Sequence, residues 1–197
     1  MQDLVFQTYV GTQIKEVIEP LAQLRMAVFR EFPYLYEGNM DYEKEYLSTY
    51  AEAERAFLFT VFHNQQLIGA TTAIPLKEES DEVKLPFEEN DYDLNSLFYF
   101  GESILQKDFR GLGIGHRFFD ERENYARSFG HYTHSCFCAV DRGIGHTAEP
   151  ADYRSNEIFW VKRGYHKEAD LKSYFEWPDI GAVEQTAKPM IYWIKRL

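Results

Sequence analysis

A mixed α/β domain, with one sheet covered by helices on both faces, is the fold class that this sequence predicts. Three observations carry that prediction. Short runs rich in β-branched and aromatic residues alternate with runs whose apolar residues recur at helical spacing. Two of the β-rich runs stand only three polar residues apart, as in a hairpin. A third runs straight into a glycine-rich turn and then an amphipathic helix, which places helices beside the sheet rather than in a separate bundle. No repeat, low-complexity tract or Pro/Gly/Ser linker interrupts the 197 residues, so one domain over 1–197 is expected.

Residues 4–10 alternate well enough for a first strand. Residues 12–32 follow with Ile14, Val17, Ile18, Leu21, Leu24, Val28 and Phe29 at helical spacing, a break or kink at Pro20 and a stop at Pro33. Residues 41–55 predict a second helix, capped by Asp41. The hairpin comprises 56–63 and 67–75 around Asn64-Gln65-Gln66. Residues 97–106 (LFYFGESILQ) predict one strand, with Gly101 marking a bulge or a close approach. A helix over 115–129 ends at Gly130, and 132–140 is a strand. A helix over 153–163 closes at Gly164, and late strands begin at Tyr165 and span 189–195.

Composition narrows the function classes. The chain is 45% hydrophobic and 27% charged, ordinary for a globular protein, with an unusual 17% of aromatics. No apolar run reaches the roughly 18 residues of a membrane span, and the first residues lack the pattern of a signal peptide, so a cytoplasmic location is expected. The net charge of −11 argues against a nucleic-acid partner, whose phosphates demand cationic surface. Residues 76–93 hold eight acids and two lysines. That run reads either as a solvated loop or as a rim attracting a cationic amine. Cys136 and Cys138 lie two apart on one strand, where they are poorly placed to bond each other. With His134 they share one strand face, but such spacing does not converge on a metal, and no metal is expected.

The most informative segment is SILQKDFRGLGIGH, residues 103–116. Glycines between a strand and a helix permit unusual backbone angles and close ligand approach. The free N–H groups at the helix start, with the helix dipole behind them, favour an anion, and Arg110, His116 and Arg117 add positive charge. The chemistry is that of a diphosphate cradle. A Walker loop would need Lys-Ser/Thr after its last glycine, and a dinucleotide fingerprint would need G-x-G-x-x-G; neither is present.

Arg110-x-x-Gly113-x-Gly115 resembles the pyrophosphate loop of the GNAT family of acetyl-CoA-dependent N-acetyltransferases, which lies between that family's fourth strand and third helix. Asn156 to Tyr165 (NEIFWVKRGY) is similar to the family's late helix and turn, about 50 residues further on. The resemblance implies a mostly antiparallel sheet splayed between its fourth and fifth strands, with acetyl-CoA as acyl donor and a primary amine on a small molecule or peptide as acceptor. It implies that CoA is bound by Ile104, Leu105 and Lys107 of the fourth strand, by Arg110, Gly111, Leu112, Gly113, Ile114, Gly115 and His116 of the turn, and by Asn156. A backbone N–H near Leu105 would polarise the acyl carbonyl.

Glu102, eight residues before Arg110, is the candidate base for the acceptor's proton, or else an ordinary strand carboxylate. One departure is plain: the family often has a tyrosine four residues before the late glycine to protonate the departing sulfur, and here Trp160 stands there. Indole is a donor of negligible acidity, so Trp160 is read as packing on pantetheine or as core, and the acid is unassigned. The competing function is a non-catalytic acyl-CoA sensor. A homodimer is left open by the sequence.

Overall fold

The computed structural model describes residues 3–197. Strand β1 (Leu4–Val10) pairs antiparallel with β2 (Phe57–His63), which turns back into β3 (Gln66–Pro75). The turn is two residues rather than three. Asn64 and Gln65 both take positive φ, 50° and 65°, the twist that a two-residue hairpin connection requires. Between β1 and β2 lie a 3₁₀ stretch, Gly11–Val17, and helices α1 (Ile18–Phe29) and α2 (Met40–Glu52). The helix expected over 12–32 is broken near Pro20: Val17 leaves helical geometry at φ −126° and ψ 12°, and Pro20 sits in the first turn of α1, where its missing N–H has no helical partner anyway. The cap of α2 is Asn39 rather than Asp41: Asn39 Oδ1 accepts from the N–H groups of Asp41 and Tyr42 at 3.0 and 3.1 Å.

The acidic run is not a loop. It holds a 3₁₀ turn and helix α3 (Asp81–Glu89), whose Val83, Pro86 and Phe87 are buried at helical spacing. Phe87 packs edge-on against Tyr192 at 4.8 Å. The acids dominate the composition of this stretch and hide its three-residue apolar stripe.

The expected single strand over 97–106 is two strands, β4 (Leu97–Tyr99) and β5 (Ser103–Leu105). Helix α4 (Ile114–Ser128), β6 (His134–Val140), a short α5 (Glu157–Lys162), β7 (His166–Trp177) and β8 (Thr186–Arg196) complete the order. The sheet runs β1–β2–β3–β4–β6–β8–β7, with β5 also paired to β3. Its pairings are antiparallel except for the parallel pair β4–β6. Helices α1 and α2 pack on one face around Leu21, Leu24, Leu47 and Ile74. Helices α4 and α5 cover the other with an aromatic layer of Phe59, Phe118, Phe119 and Phe137.

Candidate active site

The site begins with a fault in the sheet. Phe100 donates its N–H to Cys136 O at 2.8 Å, the last bond that this strand makes to β6. Then Gly101 N–H donates to Thr72 O at 3.2 Å while Thr72 N–H donates to Glu102 O at 3.0 Å. Two residues thus oppose one, which is a β-bulge. Thr72 Oγ1 accepts from Glu102 N–H at 3.1 Å, and Thr71 Oγ1 donates to Glu102 O at 2.7 Å, so two hydroxyls pin the bulge. Only glycine fits at 101: an added β-carbon would lie 2.2 Å from Tyr50 Oη and 2.7 Å from Thr72 Oγ1.

Beyond the bulge, β5 stays on β3 and leaves β6. Its register pairs Ile104 with Ala70, and Gln106 N–H donates to Ile68 O at 2.9 Å. Backbone groups alternate sides along a strand. Glu102, Ile104 and Gln106 therefore turn theirs toward β3, and Ser103 and Leu105 turn theirs to the open side, where β6 residues 137–140 pair with β8 alone. Of the strand residues that the resemblance assigned to CoA, Ile104, Leu105 and Lys107, only Leu105 has its backbone on the open side of the strand. Ile104 bonds within the sheet, Lys107 opens a 3₁₀ turn, and Leu105 keeps an outward N–H.

The glycine turn follows directly. Gly111 and Gly113 have φ of 80° and 82°, the left-handed region that side chains disfavour, and nothing lies within 4 Å of an added β-carbon at either. Gly113 is the N-cap of α4 and has no side-chain cap, so the first N–H groups of α4 stay open to a ligand. Leu112 is exposed and Ile114 is buried beneath the turn. The Arg110 guanidinium is already engaged. Its Nε donates to Leu105 O at 3.1 Å and its Nη2 to Glu31 at 2.9 Å, bracing the turn against β5 and the end of α1. The two sequence motifs meet here: Phe159 of α5 packs edge-on against His116 at 4.8 Å, and Arg163 donates to His116 O at 3.3 Å. Asn156 is exposed at the start of α5.

On the α1–α2 side of the bulge lies a buried ionic cluster. Glu102 is 6% exposed, and its carboxylate accepts from Arg25 Nη1. Arg25 Nε donates to Glu43 Oε2 at 2.5 Å. Burial pushes the Glu102 pKa up, and the Arg25 charge pulls it partly back. From the opposite face Arg122 reaches the bulge: its Nη1 donates to Glu102 O at 3.4 Å, and its guanidinium lies over the Phe100 and Phe119 rings. Burial lowers the Arg122 pKa to about 10. Nearby, Tyr50 Oη donates to the buried Glu79 at 2.5 Å.

No family model matches the sequence, and no curated protein matches it. Solved structures do. NAA60 of Arabidopsis thaliana, in complex with a bisubstrate analogue, superposes at a TM-score of 0.62 with 12% identity, covering 98% of this chain and 97% of its own. A GNAT-family acetyltransferase from Streptococcus pneumoniae gives 0.56 at 13% identity, covering 99% of both chains. Ribosomal-protein-alanine N-acetyltransferase from Brucella melitensis gives 0.58 at 11% identity, covering 98% and 99%. The fold is that of the GNAT acetyltransferases.

Within this GNAT fold, the residue in the late tyrosine position is packed. Trp160 is half-buried against Phe137 at 5.0 Å and Trp193 at 5.2 Å. Cys136 and Cys138 are buried free thiols; burial raises both, Cys138 to about 12. Among the described residues no group of three metal-binding side chains occurs, and no helix is long and apolar enough to cross a membrane.

Arg25, Glu43, Glu79 and Arg122 were not singled out from the sequence. A signal existed for two of them. Arg25 falls on the α1 stripe of Leu21, Leu24 and Val28, and Glu43 falls on the α2 stripe of Leu47 and Tyr50. A charge on a core stripe demands a buried partner.

Proposed function

We propose that this chain moves an acetyl group from acetyl-CoA to a primary amine, the amine attacking the thioester directly. The observation that supports it most is the joint placement of two features. The left-handed Gly111 and Gly113 open α4, and immediately before them β5 leaves β6 with an outward Leu105 N–H. In this reading the first N–H groups of α4 hold the diphosphate of CoA, with Arg110 and His116 at the rim. Leu105 N–H polarises the acyl carbonyl and stabilises the charge that develops on its oxygen. Glu102, directly or through one water, accepts the proton that the amine must lose. Its buried setting favours this task, because burial raises a carboxylate's proton affinity toward the working pH. Trp160 donates no proton, so the thiolate takes its proton from solvent or another hydroxyl.

A second reading, an acyl-CoA sensor without turnover, draws on two observations: Glu102 is already ion-paired to Arg25, and Trp160 replaces the usual acid. Acetyl-CoA turnover against a panel of small and peptide amines separates the two. Glu102→Gln is expected to lower kcat by about 100-fold or more at neutral pH while calorimetry finds CoA affinity unchanged. Full activity of that variant on the preferred amine would remove Glu102 from the mechanism. CoA binding with no turnover on any amine would favour the sensor.

A further inference from the structure

Helix α1 carries an arginine on its core-facing stripe, and Arg25 is 7% exposed. A guanidinium stays protonated under ordinary conditions, so burying one requires anions in fixed positions. Arg25 has two. Its Nε donates to Glu43 Oε2 at 2.5 Å, and its Nη1 donates to Glu102. The plane of the group is used as well, lying 4.2 Å from the Tyr46 ring centroid and 5.1 Å from that of Phe29. One side chain therefore ties α1 to α2 and to the bulge from which Glu102 projects.

The two carboxylates remain short of positive charge. Glu43 Oε1 and Glu102 Oε1 are buried with no hydrogen-bond partner among the described residues. The groups that act on Glu102 come from every element around it: Arg25 from α1, Glu43, Tyr46 and Tyr50 from α2, Glu79 from the segment after β3, and Arg122 from α4. Of the two arginines, Arg122 reaches only the Glu102 backbone carbonyl, whereas Arg25 meets the carboxylate itself. Without Arg25, the Glu102 carboxylate would keep the like charge of Glu43 beside it and lose the cation that offsets it, which disfavours its ionised form.

Building on the acetyl-transfer reading, we propose that Arg25 is a positioning residue for Glu102: braced by Glu43, it fixes the Glu102 carboxylate at the bulge and keeps it free to receive the acceptor's proton. Glu43 serves by holding the guanidinium and touches no reacting atom in this scheme.

The test is a pH titration of the glutamate carboxyls by ¹³C NMR in the full-length protein, with E102Q used to assign Glu102. It is paired with kcat against pH for the wild type, R25Q, R25K and E43Q. R25Q is expected to move the Glu102 midpoint up by about 1–3 pH units, with the acidic limb of kcat moving alongside. R25K keeps the charge but loses the two-way fork, so both readouts should fall between wild type and R25Q. E43Q removes a like charge, and the midpoint should drop. A role confined to stability would lower kcat equally at all pH values and leave the midpoint in place. An unchanged midpoint in R25Q, or a midpoint that moves while the kcat limb does not, overturns the assignment. Should R25Q fail to fold, opposite shifts in R25K and E43Q support the assignment, and no shift in either overturns it. If the wild type acetylates no amine, the acetyl-transfer reading falls; an unchanged midpoint in an active enzyme refutes the Arg25 assignment alone.

Discussion

Gly101 and Gly113 lie twelve residues apart, yet each is glycine for a different reason. At Gly113 the backbone demands it and space does not: φ is 82° and nothing stands within 4 Å of an added β-carbon. Gly113→Val should cost about 1–2 kcal/mol of backbone strain, lowering Tm by about 2–8 °C with unfolding still cooperative. Its larger effect should be loss of CoA binding, since a side chain would fill the space before the α4 N–H groups. Calorimetry that finds wild-type CoA affinity would refute the diphosphate cradle. At Gly101 the reverse holds, because Tyr50 and Thr72 occupy the position of any side chain. Gly101→Ala should push Tyr50 aside and destabilise the fold by about 1–3 kcal/mol. Urea unfolding with an unchanged midpoint would show that Tyr50 yields freely. Both glycines stood out in the sequence as punctuation. The open space at one and the crowding at the other did not, because they depend on neighbours tens of residues away.

Among the elements, α5 depends most on a single side chain. It has six residues, Ile158 and Val161 on it are exposed, Phe159 packs on Phe119 of α4, and its aromatic hold on the sheet comes through Trp160 against Phe137 and Trp193. A helix this short has little stability of its own. Trp160→Ala should therefore cost about 1–3 kcal/mol, given half-burial of a large ring. It should also weaken CoA binding by loosening the contact of Phe159 with the turn at His116. Trp160→Phe and Trp160→Tyr should retain most stability and turnover. If Trp160→Phe abolished turnover while fold and CoA affinity stayed normal, the indole N–H would have a catalytic part that its packing does not suggest. Element types were legible wherever an apolar period was long, as in α1 and β2–β3. Boundaries were missed where a local hydrogen bond decided them, as with Asn39 at α2. Helix α3 was missed because its stripe of Val83, Pro86 and Phe87 is embedded among acids.

For the molecule as a whole, the buried carboxylates should set the pH dependence of stability. Burial raises the pKa of Glu79 above its unfolded value, although hydrogen bonds from the Tyr50 hydroxyl and the Ser80 N–H oppose this, and Glu102 is raised likewise. With the folded pKa above the unfolded one, the folded state holds the proton more tightly. The stability from this source is fully present below about pH 4.5, and it is lost as pH rises through the folded pKa. Glu79→Gln removes that loss. The Tm of Glu79→Gln minus that of wild type should grow as pH rises from about 4.5 toward neutrality. A difference that stays flat over this range would mean that Glu79 is ionised equally easily in both states. Asp179, whose pKa the Arg142 guanidinium lowers against the opposing effect of burial, works the other way: its contribution is lost on acidification. The stability optimum should accordingly be mildly acidic.

The sequence by itself determined the fold class, the hairpin, the glycine turn and the position of Glu102 before it. These rest on local causes: alternation, helical spacing and the backbone freedom of glycine act over a few residues and can be read from a few residues. Only the tertiary structure decided that one expected strand is two. It also fixed which backbone groups face the opening and which side chains surround Glu102. The bulge exists because Thr71 and Thr72, some thirty positions earlier, bond to Glu102. Arg25 and Glu43 reach Glu102 because α1 and α2 fold onto the same face of the sheet. Local propensity says nothing of such partners, since a buried charge is satisfied by whatever the fold brings to it.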